Sequence, residues 1–366
     1  MNKLGFGFLR LPRLEENDPS SLDFSVINPM IDRFLASGRT YFDTAYTYLD
    51  GASETGLKPA LVERYPRESF QIADKLPCSH LRKGMTAQQI FEEQLKRCGV
   101  DYFDVYLLHG LDAADAAYAE EMGCFDFLRE QKASGRIRYT GFSFHDTAEV
   151  LDGILSRHPE IDLVQIQLNF LDWDNPIIQS GACYEVCRKH GKPVLVMEPV
   201  KGGTLANIPE KARALLNGEP SAHRALRFAA SKEGVAVVLS GMSTPSQVEE
   251  NTALMSPFVP LNWEEREILP QVAQIIRSDV AIPCTGCAYC VDDCPAGIPI
   301  PRYFSLYNER ERDRWQANTE ERYAALTRRY PRASACLSCG RCEGHCPQKL
   351  KIRDFLKDVS KVFDSN

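Results

Sequence analysis

Short apolar runs recur along the first 240 residues, and each is followed by a longer segment in which apolar residues stand three and four positions apart. A run of four to eight β-branched and aromatic residues favours a strand, whereas the wider spacing favours an amphipathic helix. Segments 87–98 and 180–190 show the helical spacing most clearly, and a glycine that can terminate a helix follows each. We count eight strand-like runs, at residues 4–8, 40–44, 70–74, 104–109, 138–143, 163–168, 193–197 and 235–240.

The strand starts lie roughly 25 to 40 residues apart, which is the length of one strand–helix unit. Eight such units close into a (β/α)8 barrel, an α/β fold. A doubly wound parallel sheet is the alternative, but its G-x-G-x-x-G nucleotide fingerprint is incomplete. Gly5 and Gly7 supply the first two glycines, and Arg10 stands where the third would be. The sequence therefore predicts a (β/α)8 TIM barrel.

Cysteine usage divides the chain into two parts. Five of the 13 cysteines are scattered over the first 283 residues, and eight lie between Cys284 and Cys346. Pro283 cannot continue the polar helical stretch that precedes it. We therefore predict two domains, a barrel at residues 1–278 and a small, mainly helical, cysteine-rich domain at residues 279–366.

The net charge of −7 narrows the range of partners, because it would repel a polyanion. We expect no nucleic-acid partner.

No run reaches the roughly 20 apolar residues that a membrane-spanning helix needs, and the N-terminal stretch is too short and polar for a signal peptide. We expect a cytoplasmic protein with no membrane segment, whose thiols stay reduced. The cysteines then indicate metal binding rather than disulfides.

Ionisable residues stand at the carboxyl ends of three consecutive strand-like runs. Asp43 is at the end of the second run, Lys75 at the end of the third and His109 at the end of the fourth. The carboxyl ends of barrel strands form the active-site face. One such residue alone is more often part of a structural ion pair, but three in succession favour catalysis. We expect these three side chains to converge on one rim of the barrel.

A tyrosine on the loop after Asp43, either Tyr46 or Tyr48, can complete this group. A phenol, with a pKa of about 10, donates its proton more readily when a nearby ammonium favours its anion. Lys75 can supply that charge, and Asp43 can hold Lys75 in place. His109 can donate to or orient a carbonyl oxygen. Together these groups would stabilise charge on oxygen while a hydride reaches carbon.

Five segments in order resemble the aldo-keto reductases over about residues 1–278: FDTAYTY with Ser53 and Glu54 after it, DYFDVYLLHG, GFSFH, VQIQLN and VLSGMSTPSQVEEN. The resemblance implies an NADPH-dependent reduction of a small carbonyl substrate, an aldehyde or ketone. It implies that Tyr48, rather than Tyr46, is the general acid. The implied catalytic tetrad is Asp43, Tyr48, Lys75 and His109.

The resemblance also implies where a nicotinamide cofactor binds. Ser143 and Gln165 match the positions that hold the carboxamide. Many members of the family place Lys and Arg on the 2′-phosphate at the positions of Gly241 and Gln247, so this chain lacks that charged clamp. Both NADP(H) and NAD(H) therefore stay open. The positions that match the adenine-binding loop and helix are Gly241, Ser243, Thr244, Gln247, Glu250 and Asn251.

The tail contains C-x2-C-x2-C-x3-C-P twice, which is the run of bacterial ferredoxins with two 4Fe-4S clusters. In that pattern three thiolates bind one cluster and the fourth binds the other. Zinc is the alternative, but zinc sites pair two C-x2-C units and need no third cysteine or trailing proline. We predict one cluster on Cys284, Cys287, Cys290 and Cys346. We predict the second on Cys336, Cys339, Cys342 and Cys294.

The two motifs are separated by residues 295–335, which show helical character and resemble α-helical ferredoxin domains. Eight Arg against five Asp and Glu in residues 302–332 give a local excess of +3. This segment is either a solvated helical face with internal ion pairs or a docking surface for an acidic electron carrier.

A hydride carries two electrons together, whereas each cluster passes one at a time. Three hypotheses follow. The protein is a carbonyl reductase whose tail is structural; or it is an electron-transfer oxidoreductase fed by an external ferredoxin-type carrier; or it is a non-catalytic subunit that senses nicotinamide or binds a partner. The complete tetrad argues against the third.

Overall fold

Eight parallel strands form a closed barrel in the computed structural model, which describes residues 3–15, 18–312 and 319–364. Each strand pairs with the next along the chain, and β1 pairs with β8. The strands are β1 Leu4–Gly7, β2 Tyr41–Asp43, β3 Gln71–Pro77, β4 Phe103–Leu111, β5 Ile137–Phe144, β6 Leu163–Gln167, β7 Val194–Met197 and β8 Val235–Ser240. The predicted (β/α)8 barrel is confirmed.

Helices follow the strands and continue into the tail. The α-helices are Phe24–Ala36, Ala52–Leu57, Cys78–Leu81, Ala87–Cys98, Ala113–Glu121, Cys124–Ala133, Ala148–Arg157, Ser180–Lys189, Glu210–Arg213, Ser221–Ala230, Pro245–Leu254, Trp263–Glu267, Leu269–Asp279, Tyr289–Asp292, Ile300–Arg312, Thr319–Thr327, Arg341–Gly344 and Ile352–Phe363. Shorter 3-10 and π turns are Phe8–Arg10, Tyr48–Gly51, Lys58–Val62, Arg67–Ser69, Lys201–Gly203, Ala214–Leu216 and Ala333–Ala335.

The helix Ala87–Cys98 shows how local sequence defines an element. Thr86 accepts a hydrogen bond from the backbone N–H of Gln89, and the Gln89 side chain accepts one from the backbone of Thr86. This reciprocal capping satisfies two N–H groups that the first turn leaves unpaired. Gly99, at φ 72°, ends the helix in a left-handed conformation that glycine adopts at low cost. The predicted bounds 87–98 match the structure because both ends carry local signals.

Alternate residues of the strands fill the barrel interior. Tyr41, Ala73, Leu107 and Leu163 belong to one buried cluster, together with residues of β7 and β8. Successive side chains of a strand point to opposite faces, so residues two positions further on also point inward. The candidate catalytic side chains therefore lie at the inward positions nearest the carboxyl ends of the strands.

Residues 200–222 and 263–366 form a second compact unit, separate from the unit of residues 1–199 and 223–262. Its core contains Tyr303, Phe304, Leu356 and Val359, all nearly or fully buried. The segment 200–222, which follows β7, thus belongs to the same unit as the cysteine-rich tail. The division of the chain at residue 278 stays a prediction. Residues 313–318 of the segment predicted to be helical lie outside the described residues.

Among the helices that the structure describes, none combines the length and the apolar composition that crossing a membrane would require.

Three phenylalanines, Phe6 of β1, Phe42 of β2 and Phe34 of the helix Phe24–Ala36, pack together. The ring of Phe34 lies 5.4 Å from that of Phe6 and 5.3 Å from that of Phe42, and all three side chains are fully buried. We expect Phe34→Ala to lower the free energy of unfolding by about 3–5 kcal/mol, because it removes buried surface and leaves a cavity. Urea-induced unfolding measures this change. Leu14→Ala is the control, since Leu14 is 72% exposed and we expect a change within about 0.5 kcal/mol. Equal effects of the two substitutions would contradict the packing described.

Candidate active site

The strand register brings the candidate catalytic residues to one end of the barrel interior. Asp43 ends β2 and pairs with Ala73, two residues before Lys75 on β3. Lys75 pairs with Leu107, two residues before His109 on β4. Because side chains alternate along each strand, Asp43, Lys75 and His109 all follow interior residues by two positions and point inward.

Lys75 is the centre of the group. Its ammonium donates hydrogen bonds to Asp43 Oδ1 at 2.7 Å, to the backbone oxygen of Thr44 at 2.7 Å and to the hydroxyl oxygen of Tyr48 at 3.2 Å. The side chain is fully buried. An ammonium has three N–H groups, and these three acceptors can use all of them. The Tyr48 oxygen accepts this hydrogen bond, so the bond to Lys75 does not use the Tyr48 proton.

The turn Tyr48–Gly51 has an unusual backbone. Leu49 and Asp50 have φ angles of 51° and 53°, in the left-handed region that side chains other than glycine rarely adopt. Such conformations persist only where surrounding contacts hold them, and they are concentrated at functional sites. Gly51 packs against Arg97: a Cβ at Gly51 would lie 3.1 Å from Arg97 Nη1. Arg97 itself donates to Glu54 Oε2 at 2.9 Å, which fixes this support.

The two candidate tyrosines have different surroundings. Tyr46 donates its hydroxyl proton to Glu93 Oε2 at 2.9 Å, and the Arg97 guanidinium lies 4.3 Å from its ring centroid. The Tyr48 ring lies 4.6 Å from Lys75 Nζ and 5.8 Å, centroid to centroid, from the His109 ring. The structure therefore brings Tyr48, and not Tyr46, together with Lys75 and His109.

Burial controls protonation in this group. Burial, and then the nearby charge of Lys75 and the proximity of His145, lower the pKa of His109 well below its ordinary value. His109 is therefore neutral near pH 7, with one N–H donor. Burial raises the pKa of Asp43, and the adjacent Lys75 ammonium opposes that rise.

A buried polar network behind Lys75 was missed by the sequence analysis. Gln94 Nε2 donates to Glu54 Oε1 and to Asp74 Oδ1, both at 2.8 Å, and to the backbone oxygen of Lys75 at 3.1 Å. Burial raises the pKa of Glu54, and burial and then Glu54 raise that of Asp74. The network also holds the backbone of Lys75 through its carbonyl oxygen. The available signal was Asp74, a carboxylate within an apolar run.

The candidate carboxamide residues lie on adjacent strands, where Ser143 on β5 pairs with Gln165 on β6. Ser143 Oγ accepts a hydrogen bond from the backbone N–H of Gly110 at 2.7 Å. Gln165 is buried, and within the described residues its Oε1 atom has no hydrogen-bond partner. A buried amide oxygen without a partner costs free energy unless a ligand supplies a donor. A nicotinamide carboxamide, which has two N–H donors, fits this position.

The candidate adenine-binding residues form a capped helix start. The Thr244 side chain caps the helix Pro245–Leu254 by accepting from the backbone N–H of Gln247. The Gln247 Oε1 atom accepts from the backbone N–H of Ser243 at 2.7 Å. Further along this helix, Asn251 Nδ2 donates to Ser240 Oγ at 3.1 Å, and Glu250 Oε2 lies 3.8 Å from His223 Nε2.

A cation that the sequence analysis did not assign lies beside this loop. Ser243 Oγ donates to the backbone oxygen of Arg10 at 2.7 Å. The Arg10 side chain packs on Gly241, because a Cβ at Gly241 would lie 3.2 Å from Arg10 Cδ. Arg10 is the residue that stands where the third glycine of a nucleotide fingerprint would be. Its distance from Gly241 in the sequence left no local signal for the contact.

The eight tail cysteines line two separate spaces. Cys284, Cys287, Cys290 and Cys346 surround one, and Cys294, Cys336, Cys339 and Cys342 surround the other. The fourth cysteine of each motif is therefore grouped with the first three of the other motif.

These thiols fit a metal centre by their chemistry. Burial, followed by the neighbouring Cys287, Cys284 and Cys346, raises the pKa of Cys290. Burial, Glu343 and the other cysteines of the second group raise the pKa of Cys342 to about 11. Thiols that raise the pKa of a neighbour in this way need a positive centre before all can be thiolates, and iron supplies it.

Comparisons with known proteins agree with both parts of the chain. The aldo/keto reductase family matches residues 3–272, and a 4Fe-4S dicluster domain matches residues 283–350. A probable aldo-keto reductase of Glycine max is 28% identical over 225 residues, which cover 57% of this chain and 60% of that protein. L-galactose dehydrogenase of Arabidopsis thaliana is 23% identical over 267 residues, 66% of this chain and 81% of that protein.

Solved structures show the same fold. An aldo-keto reductase of Bacillus halodurans has a TM-score of 0.57 and 24% identity, covering 74% of this chain and 91% of that one. An aldo-keto reductase of Klebsiella pneumoniae in complex with NADPH has a TM-score of 0.59 and 21% identity, covering 74% and 90%. At these identities the likeness establishes the barrel alone. Since the family match spans most of the chain, the protein belongs to the aldo/keto reductase family of oxidoreductases, with a 4Fe-4S dicluster domain after its barrel.

Proposed function

We propose that the protein is a NAD(P)H-dependent carbonyl reductase in which Tyr48 is the general acid. The observation that carries this proposal is the buried Lys75 ammonium, hydrogen-bonded to Tyr48 and Asp43 at the same time. The substrate is a small aldehyde or ketone. The resident cofactor, when bound, supplies a hydride to the carbonyl carbon.

Side chains of the tetrad donate the proton that the carbonyl oxygen gains and stabilise the charge left behind. As negative charge develops on the carbonyl oxygen, Tyr48 donates its proton to that oxygen, and the Lys75 ammonium stabilises the phenolate left behind. Asp43 accepts a hydrogen bond from the Lys75 ammonium and orients it. His109, neutral at pH 7, donates its N–H to the same carbonyl oxygen and so fixes the position of the substrate. The carbonyl becomes an alcohol by gaining the hydride at carbon and this proton at oxygen.

The proposed cofactor site consists of two groups of residues, one for each end of the nicotinamide dinucleotide. Gln165 Oε1 would accept from the carboxamide, with Ser143 beside it. Residues 241–251 would hold the adenine end. We favour NADPH over NADH because Arg10 lies against Gly241, where it can supply the cation that Gly241 and Gln247 lack.

The tail is proposed to carry two 4Fe-4S clusters with crossed ligation. Cluster I would be bound by Cys284, Cys287, Cys290 and Cys346, and cluster II by Cys336, Cys339, Cys342 and Cys294. Each cluster, when bound, exchanges one electron at a time. An oxidoreductase fed by an external ferredoxin-type carrier is therefore the second candidate function, and the exposed cations Arg341 and Arg353 near Cys339 favour it, because they would attract an acidic carrier. A cytoplasmic location stays a prediction.

A lysine that the sequence analysis missed stands beside the cluster I cysteines. Lys201, four residues after β7 ends at Met197, is 3% exposed and donates to Gln348 Oε1 at 2.8 Å. Gln348 lines the space enclosed by the cluster I cysteines. A buried cation acts on nearby charges through a medium of low polarity, so its effect is stronger than that of an exposed lysine.

We expect Tyr48→Phe to lower kcat/KM for carbonyl reduction by 10²-fold or more, because the substitution removes the acid and keeps the ring. Steady-state oxidation of NADPH with an aldehyde measures this. Tyr46→Phe is the matched control: it removes a hydroxyl that is bonded to Glu93, and we expect less than about a threefold loss. Equal losses in the two variants would show that Tyr48 is not the acid.

We expect Arg10→Ala to raise KM for NADPH roughly tenfold and to leave KM for NADH unchanged, because a charge-assisted bond to the 2′-phosphate is worth about 1.5–3 kcal/mol. The backbone oxygen that Ser243 uses is retained in this variant. Arg13→Ala, in the same segment, is the control. A parallel rise for both cofactors would assign Arg10 a structural role instead.

We expect Lys201→Met to lower the reduction potential of cluster I, because the reduced cluster carries one more negative charge and loses a nearby cation. A tenfold change in the equilibrium constant corresponds to ~59 mV for one electron. A redox titration followed by electron paramagnetic resonance measures the potential. The control is Lys357→Met, since Lys357 is 63% exposed. Unchanged potentials in both variants, with full iron content, would refute this effect.

A further inference from the structure

The two groups of cysteines differ in exposure. In the first group Cys290 and Cys346 are buried and the other two are half-buried, whereas Cys339 of the second group is exposed. Leu337, between Cys336 and Cys339, is 67% exposed. An exposed apolar residue surrounded by polar ones is the pattern of the centre of a small protein interface. A protein partner can therefore approach the second group closely.

The chain around the second group is strongly basic. Residues 328–353 contain seven Lys and Arg and a single acidic residue, Glu343, although the whole chain has a net charge of −7. Every one of these cations is exposed. They are Arg328, Arg329, Arg332, Arg341, Lys349, Lys351 and Arg353. The local charge is thus opposite in sign to that of the protein as a whole.

Contacts hold part of this charge against the loop that carries Cys339. A Cβ at Gly340 would lie 3.7 Å from the guanidinium carbon of Arg353. Arg353 Nη2 donates to Glu343 Oε2 at 2.8 Å, which fixes the guanidinium in that position. Arg341 begins the helix Arg341–Gly344, directly after Gly340. We name the exposed surface of Leu337, Arg341, Lys351 and Arg353 the basic face.

The first cysteine group has different surroundings. The described residues that line its space include no Lys, Arg, Asp or Glu, whereas Arg353 lines the space of the second group. An acidic partner would find fewer cations there. Within 302–332, Arg310 bonds to Glu320 and Arg322 to Glu309, as ion pairs of a solvated face. Of the two interpretations of that segment, ion pairing fits these residues.

We propose that the basic face is the docking site of an acidic ferredoxin-type protein, which delivers single electrons to cluster II. This inference deepens the proposed electron-transfer role of the tail and rests on cluster binding there. In each encounter the reduced iron-sulfur centre of the carrier loses one electron and is oxidised, and cluster II gains that electron and is reduced. No bond is made or broken and no proton is transferred. Electrostatic attraction speeds the encounter, and Leu337 provides the apolar contact.

The experiment uses the full-length protein with its clusters and, as the probe, an acidic 2Fe-2S ferredoxin of the plant type, reduced beforehand. Stopped-flow absorbance follows electron transfer, and electron paramagnetic resonance distinguishes the two types of centre. We expect the second-order rate constant to fall as NaCl rises, because salt screens the attraction. We expect the double variant Arg341→Glu/Lys351→Glu to be slower by roughly tenfold at low salt and to depend little on salt.

The matched control is Lys96→Glu/Arg129→Glu, which makes the same change in net charge on exposed positions of barrel helices. We expect it to react within about twofold of the unaltered protein. Reduction by dithionite, which needs no docking, should proceed at the same rate in all variants. Equal slowing in both double variants, or a rate that does not fall with salt, overturns the proposal.

Arg341 adjoins Cys342, so iron content is measured in each variant. Lys351 lies outside the cysteine loop, so the single variant Lys351→Glu repeats the test. We expect its second-order rate constant to be lower by roughly threefold at low salt. Tyr48→Phe should accept electrons at the unaltered rate, because the tetrad plays no part in docking. A rate constant of the unaltered protein that does not fall with salt, together with normal carbonyl reduction, would therefore refute this inference and leave the proposed reductase activity standing.

Discussion

The ion pair between Lys75 and Asp43 is the constraint on which the candidate site depends. Both side chains are almost completely buried, and a buried charge is tolerated only when a partner and hydrogen bonds compensate for lost water. Three requirements follow. Asp43 must end its strand beside Lys75, Thr44 must turn its carbonyl inward, and Tyr48 must approach as the third acceptor. Removing one partner of such a pair costs about 3–5 kcal/mol of stability. The pair therefore holds in place both the Lys75 ammonium and the turn that carries Tyr48.

A second constraint operates in the unit that carries the cysteines. Gly202 has a φ of +61°, and a Cβ there would lie 2.2 Å from the carbonyl oxygen of Thr285, the residue after Cys284. Only glycine permits this approach, and next to it Lys201 reaches Gln348. The segment that follows β7 therefore packs directly on the loops that hold the first cysteine group. In sequence it leaves a barrel strand, and in structure it belongs to the tail unit.

Local signals explain which features the sequence predicted. The run at 235–240 matches β8 because its apolar residues stop where the strand stops. By contrast β3 extends to Pro77, beyond the predicted end at residue 74, because pairing with β4 continues through Lys75. A charged residue such as Lys75 after an apolar run is typical of the end of a strand. Arg10 and Lys201 were not predicted at all. Each acts through a partner far away in sequence, and no periodicity or spacing records such a contact.

The charges around the two cysteine groups would decide the direction in which electrons move between the proposed clusters. The carboxylates of Asp292 and Asp293, which adjoin Cys294 of the second group, are exposed, so water and salt screen their effect on either group. The ammonium of Lys201 is buried, so it acts through a less polar medium and dominates. The cations of the basic face are exposed and are screened in the same way as the carboxylates. Once bound as proposed, cluster I would therefore be the easier to reduce, and an electron that arrives at cluster II would pass on to cluster I. The two proposed clusters together would hold two electrons, which is the number that one hydride carries.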